Sequence, residues 1–293
     1  MRNDNISSDG EKKYDPWGIP AENIYGHKKR LEFFIREIEK FRERKNITDR
    51  SALKILDVGC GTGVMITLPL ASLGYSITGF DVSAPSIAKA TEINIYDNAR
   101  FCNEDFMLWE DNEIFDVIIC SEVLEHVPST AEFLKKTEKL LKRDGIIIIT
   151  VPNGYGLFEV ESFLWKLALR VFGEKKMRRL DEFMYIWMRR LRRYLRLRQI
   201  DFQDSSKLGS CDSATMSTDE KHIIFFTYGK IRKIISNTGL KITRSGKNCF
   251  IAGSFSHLLF RFFPSIIKFN TIVADFFPPC LTAGWYFVCE KKG

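Results

Sequence analysis

The stretch ILDVGCGTGV, residues 55–64, places Gly59, Gly61 and Gly63 at alternate positions behind a short apolar run that contains an acid, Asp57. Lys54 to Val58 reads as a buried strand. Val64, Met65, Ile66, Leu68, Leu70 and Leu73 then follow with helical apolar spacing. The glycines therefore fall on a strand-to-helix turn, where a backbone without side chains can take positive φ and let a ligand approach its N–H groups. The spacing is G-x-G-x-G with Val64 in the next position, which departs from the dinucleotide pattern G-x-G-x-x-G. The absence of a following G-K-[ST] excludes a phosphate-binding P-loop. Pro69 inside the expected helix predicts a kink.

The pattern repeats outward from this turn. Ser76 to Phe80, Arg100 to Cys102, Phe115 to Cys120 and residues 145–151 (GIIIITV) read as further strands, most of them nearly continuous in apolar residues. Helical spacing precedes the first strand at Leu31, Phe34, Ile35, Ile38 and Phe41. Before residues 145–151, Ser129 and Glu132 form an S-x-x-E capping box, and Gly145 is expected to close that helix. Alternating strands and helices with apolar strands predict an α/β fold, a mostly parallel sheet covered by helices on both faces. After Pro152 the alternation lapses until a helix near Tyr228 to Thr238, a strand at Leu240 to Arg244 and a last strand at Trp285 to Cys289. The expected organisation is a flexible segment 1–27, a ligand-binding half 28–153, a basic helical insert 154–218, and a returning part 219–293 with an apolar lid segment.

The chain has 293 residues, 45% of them hydrophobic, enough for one large core. Seven cysteines without a C-x-x-C pair suggest neither a disulfide framework nor a zinc site, so a reducing compartment is expected. No run of eighteen apolar residues occurs, so no membrane span is expected, and the first residues carry no signal-like apolar stretch. The formal net charge of +7 is concentrated: residues 155–200 hold 12 Lys and Arg against 5 Asp and Glu, leaving 32 of each elsewhere.

Six motifs in order resemble the class I S-adenosylmethionine-dependent methyltransferases, in particular the small-molecule branch that includes the ubiquinone-biosynthesis O-methyltransferases. They are LDVGCGTG at 56–63, GFDVS at 79–83, NEDF at 103–106, FDVIICSEVLEHV at 115–127, GIIIITVPN at 145–153 and HIIFFTYGKIRKIISNTGLKI at 222–242. The resemblance implies a Rossmann-like sheet of seven strands with the last one antiparallel, and a helical insert after the fifth strand. It also implies S-adenosylmethionine as cofactor, held by Asp57, Gly59, Gly61, Gly63, Asp81, Val82, Asp105, Phe106 and Ser121. Asp81, eighteen residues after Gly63 at a strand end, can accept the ribose hydroxyls. Asp105 can accept the adenine amino group beside the Phe106 N–H. Read singly, Asp81 equally suits a helix cap and Asp105 a loop acid.

If the acceptor is a hydroxyl, its proton must go to a base or be displaced by a Lewis acid. Glu122, Glu125 and His126 stand at i, i+3 and i+4, one face of any helical turn. His126 is the candidate catalytic base. Glu122, Glu125, His126 and His222 together resemble the magnesium or manganese set of the RNA 2′-O-methyltransferases and of some quinone methyltransferases, an alternative divalent-metal set; the same phrase also resembles a structural one in metal-free relatives, so the metal is not the favoured reading. In the insert, Met184, Trp187, Met188, Leu191 and Leu195 sort to one helical side and Arg189, Arg192, Arg193 and Arg196 to the other. A basic amphipathic helix of this composition suits an anionic membrane surface, with RNA phosphates as the rival partner. The expected function is O-methylation of an apolar or lipid-linked small molecule by a cytoplasmic enzyme peripheral to the cytoplasmic membrane face. The alternatives are an RNA 2′-O-methyltransferase and a non-catalytic interaction module.

Overall fold

The computed structural model describes residues 26–110, 113–173, 223–251 and 264–292, together with residues 176, 179, 183, 186, 187 and 190. Helix α1 (His27–Arg44) leads into β1 (Lys54–Val58), α2 (Thr67–Ser72), β2 (Ser76–Asp81), α3 (Ala84–Ile93) and β3 (Ala99–Asn103). The chain continues through β4 (Phe115–Ser121), α4 (Thr130–Leu140), β5 (Leu141–Pro152) and α5 (Leu157–Phe172). After the insert come α6 (Tyr228–Asn237), β6 (Leu240–Lys247), α7 (Pro264–Val273) and β7 (Gly284–Lys291).

The seven strands order as β3-β2-β1-β4-β5-β7-β6. β1 to β5 pair in parallel, and β7 lies antiparallel between β5 and β6. The apolar runs explain the two-sided burial, because successive side chains leave a strand on opposite faces. Val117 and Ile119 of β4 pack with Ile55, Ile146 and Ile148 under Phe34, Ile38 and Phe41 of α1. Ile118 and Cys120 pack with Leu56, Ile147 and Ile149 under Phe133 and Leu134 of α4 and Ile231 and Ile235 of α6. Strand order reverses between β1 and β4, and the crevice outside their carboxyl ends is where such sheets take ligands.

Two local expectations are overturned. Gly145 does not close α4: the helix ends at Leu140, and Leu141 already pairs with Phe115. Both leucines are buried, so continuing the helix would pull Leu141 out of the core. Gly145 lies within β5, where an added Cβ would stand 2.7 Å from the Asp116 carbonyl oxygen. Pro69 does not kink a long helix. Residues 64–66 are turns and α2 starts only at Thr67, which puts Pro69 in the first helical turn, where its missing N–H would have no intrahelical partner in any case.

Candidate active site

Gly59, Gly61 and Gly63 have φ of 73°, 55° and 73°, a conformation that only glycine adopts without strain. Each is required for a different reason. A Cβ on Gly59 would come within 2.4 Å of Val123, and one on Gly63 within 2.5 Å of Phe101, whereas nothing lies within 4 Å of a Cβ on Gly61. The outer two glycines thus seat the turn against Val123, just past β4, and against Phe101 of β3, and the middle one faces open space.

The turn is tied to the carboxyl end of β2. The N–H groups of Gly59 and Cys60 donate to the Phe80 carbonyl at 2.7 and 3.0 Å. The Gly61 N–H donates to Asp81 Oδ2 at 2.7 Å, and Asp81 Oδ1 accepts the Ser83 N–H at 2.8 Å. Asp81 is therefore not the helix cap: Ser83 caps α3, its hydroxyl accepting the Ser86 N–H. Val82 is exposed beside it. Asp105, also exposed, closes the next turn by accepting the Met107 N–H at 2.8 Å, while Phe106 is buried against Phe133. The structure thus brings together Asp57, the glycines and Asp81 around one turn, with Asp105 and Phe106 after β3, the next strand outward from β2.

Asp57 lies beneath the turn. Its Oδ2 accepts from the Thr67 hydroxyl at 2.6 Å, and its Oδ1 is buried without a hydrogen-bond partner among the described residues. Burial, reinforced by the charge of Asp81, pushes its carboxyl up to about 7, against the bond from Thr67 and the charge of Arg30. A buried carboxylate with one open oxygen can accept a cation.

On the other side of the crevice, Ser121 ends β4 with its hydroxyl 3.0 Å from that of Thr150. Glu122 follows with φ 55°, a left-handed residue that is not glycine. Its Oε1 accepts from Thr150 at 2.7 Å and lies 3.4 Å from the guanidinium of Arg30. The left-handed break corrects the expectation that Glu122, Glu125 and His126 share a helical face. Glu125 is buried, its carboxyl held well above the usual range by burial and by Glu122, with Oε2 unpartnered among the described residues. His126 is partly exposed, with Nε2 3.9 Å from Glu125 Oε1, beyond hydrogen-bond reach. Among the described residues no three His, Cys, Asp or Glu side chains are grouped to hold a metal ion, and His222 lies outside those residues.

Arg30 and His27 escaped the sequence reading. Arg30 reaches from α1 into the crevice, buried, with Nη2 2.8 Å from His27 Nδ1. Burial, aided by the Arg30 charge, lowers the imidazole well below its ordinary value, so His27 is neutral and accepts. The signal was present: His27 and Arg30 fall in step with Phe34, Ile38 and Phe41 on the buried side of α1. Polar residues inside an apolar stripe ask for a buried partner.

Residues 25–245 match the methyltransferase domain family, three quarters of the chain. The chain belongs to that family. This methyltransferase domain is 34% identical over 126 residues to the ubiquinone biosynthesis O-methyltransferase of Rickettsia canadensis, covering 42% of this chain and 51% of that protein. It is 38% identical over 110 residues to the mitochondrial ubiquinone biosynthesis O-methyltransferase of Rattus norvegicus, covering 35% and 32%. The chain thus spans about half the length of the bacterial curated relatives it matches. Among solved structures it resembles the magnesium protoporphyrin IX methyltransferase of Synechocystis with a TM-score of 0.49 at 15% identity, covering 91% of this chain and 84% of that one.

Proposed function

We propose that the protein transfers the methyl group of S-adenosylmethionine to an oxygen of an apolar or lipid-linked small molecule. The observation that carries this reading is the glycine turn. Its middle residue faces open space where a side chain would stand, and its N–H and the Asp81 carboxylate close one side of the sheet's switch point. The residues fit the cofactor's chemistry. Asp81 presents a carboxylate to ribose hydroxyls, Asp105 one to the adenine amino group, and Asp57 an open oxygen to the ammonium, with Val82, Phe106 and Ser121 around them. Arg30 offers a guanidinium to the carboxylate end.

Bound there, S-adenosylmethionine would supply an already activated methyl on a sulfonium. The chain's own task is to orient an acceptor oxygen, exclude water and take up a proton. His126 is partly exposed on the turn after β4 and is the base in this reading, since an imidazole is suited to neutral pH. Glu122 cannot serve as it stands, because Arg30 and Thr150 hold its carboxylate.

The same reading makes the protein peripheral to an anionic membrane on its cytoplasmic face. Val160, Phe163, Leu164, Leu167 and Val171 form one stripe along α5 and are exposed, as are Phe183, Ile186 and Trp187 of the insert. These groups lie within the segment that carries the surplus of 7 positive charges. Apolar side chains amid cations are what a surface-lying helix needs at anionic head groups. No helix among the described residues is long and apolar enough to cross a membrane.

The test is incubation of purified protein with methyl-labelled S-adenosylmethionine and whole-cell extract. Label in the organic phase, lost in His126→Ala, is the expected result. Label in RNA would replace this reading with the nucleic-acid one, and no label at all with the non-catalytic one.

A further inference from the structure

The loop after β3 carries Asp105 and Phe106, and residues 104–110 belong to no strand or helix, so their carbonyls need partners from elsewhere. The loop's own bonds make only a tight turn. The Asp105 carbonyl accepts the N–H groups of Leu108 and Trp109 at 2.9 and 3.0 Å, and Asp105 Oδ1 accepts the Met107 N–H at 2.8 Å. Phe133 and Lys136, three residues apart and so on one side of α4, reach this turn. The Phe133 ring packs on that of Phe106, with centroids 4.9 Å apart.

Lys136 binds the backbone of the turn. Its Nζ donates to the Met107 carbonyl at 2.9 Å and to the Trp109 carbonyl at 2.5 Å, and it stands 5.5 Å from the centroid of the Phe106 ring. Trp109 in turn meets Phe80, the residue before Asp81, edge to face at 4.8 Å. One ammonium therefore ties the loop to α4 at two carbonyls on either side of Leu108. Burial lowers the pKa of that ammonium against the charges of Asp105 and Glu110, so Asp105 lies within its electrostatic reach. Its neighbours Lys135 and Lys139 are exposed instead.

We propose that Lys136 is a positioning residue for adenine recognition: by fixing the Met107 and Trp109 carbonyls it holds the Asp105 carboxylate where it accepts the exocyclic amino group, and so sets the preference for adenine over a purine without that group. This rests on the methyltransferase reading above. The amine of Lys136 is engaged by backbone carbonyls, so it acts through Asp105 and not on the ligand. Lys136 lies outside all the motifs that carry the family resemblance.

The experiment titrates the full-length protein calorimetrically with S-adenosylhomocysteine and with its deamino analogue, which carries hydrogen in place of the adenine amino group. Wild type should bind S-adenosylhomocysteine about ten-fold more tightly, the range of a hydrogen bond to a charged acceptor. Lys136→Met keeps an unbranched stem and removes the donors. It should cut S-adenosylhomocysteine affinity about five-fold and leave that of the analogue nearly unchanged, bringing the ratio to about two. Lys136→Arg, which keeps a cation and donors, should hold a higher ratio than Lys136→Met. Lys135→Met, which removes an equal charge one residue away, should leave the ratio at the wild-type value. Adding Lys136→Met to Asp105→Ala should lower the ratio no further. Should Lys136→Met fail to fold, Lys136→Gln, with a shorter uncharged donor, should still lower the ratio about two-fold or more. A lysine that only stabilised the fold would weaken both ligands by one factor, and that result overturns the proposal. So does equal binding of the two ligands by wild type, a Lys135→Met variant that behaves like Lys136→Met, or a further loss in the double variant. Failure of wild type to bind S-adenosylhomocysteine would instead bring down the methyltransferase reading, and this role with it.

Discussion

Asp57 carries the sharpest pH dependence that the crevice offers. Its carboxyl titrates at about 7 in the fold and near 4 in an unfolded chain. Between those values the native state holds a proton that the unfolded state has lost. Stability therefore falls as pH rises from about 4 to about 7 and is level above, by on the order of 4 kcal/mol for this group. Urea unfolding of wild type against Asp57→Asn at pH 5 and pH 7.5 should show about 2.5 kcal/mol of that difference, with the variant flatter. Binding runs the other way. An ammonium beside Asp57 favours the ionised form, so S-adenosylmethionine affinity should weaken as pH drops from 7.5 to 6, and Asp57→Asn should remove most of that slope in calorimetry. The glycines separate similarly. Gly63→Ala forces a Cβ against Phe101 at φ 73° and should cost about 2 to 4 kcal/mol of stability, whereas Gly61→Ala meets open space and pays only for its backbone, about 1 to 2 kcal/mol. Thermal unfolding ranks the two, and Gly61→Val should lose cofactor affinity before it loses the fold. At this scale the sequence was legible where chemistry needs a missing side chain, as at Gly59, Gly61 and Gly63. It was opaque at Arg30, whose role depends on a helix packing across the sheet from far along the chain.

Elements were legible where periodicity alone decides them. β1, β4 and β7 fall within a residue or two of their apolar runs, and α6 begins at Tyr228 as its spacing requires. The errors cluster where a short-range signal competed with pairing in the sheet. Gly145 looks like a helix terminator because glycine usually ends helices, yet β5 begins four residues earlier because Leu141 is needed opposite Phe115. Its actual role is close approach between strands. Gly145→Ala would set a Cβ 2.7 Å from the Asp116 carbonyl, and Asp116 also accepts from the Lys54 N–H at 3.0 Å and from Lys142 at 2.8 Å. The substitution should therefore cost about 1 to 3 kcal/mol, read as a lower urea midpoint with an unchanged slope. A glycine that merely ended α4 would lose less. The turn after β4 shows the same competition: the i, i+3, i+4 spacing of Glu122, Glu125 and His126 suggests a helix, but Glu122 adopts φ 55° instead. That break lets its carboxylate meet Thr150 and Arg30 while Glu125 sinks into the core.

The molecule as a whole sets a glycine-lined crevice at one end of the sheet and leaves a long apolar stripe on the helix that follows β5. The stripe on α5 is α-helical in spacing yet faces outward, opposite to what burial of an amphipathic helix would give. Exposing several Val, Leu and Phe side chains forgoes about 1.5 to 3 kcal/mol each, which a fold tolerates when something else covers them. A membrane would do so, and the surplus of positive charge within residues 155–200 would draw the protein to anionic lipid. Two substitutions separate the contributions. Leu164→Ser with Leu167→Ser removes apolar contact without touching charge, and should release the protein from anionic vesicles even at low salt. Arg189, Arg192, Arg193 and Arg196 replaced by Gln should weaken binding by on the order of 1 kcal/mol per residue at the surface, and should flatten its salt dependence. Both sets lie away from Asp81 and the glycine turn in sequence, so S-adenosylmethionine affinity should stay near wild type in each. Flotation with phosphatidylglycerol vesicles at low and high salt reads all of this. Retention of the leucine double variant on vesicles, with loss of only the arginine variant, would reduce the surface to an electrostatic one that RNA phosphates could occupy equally well.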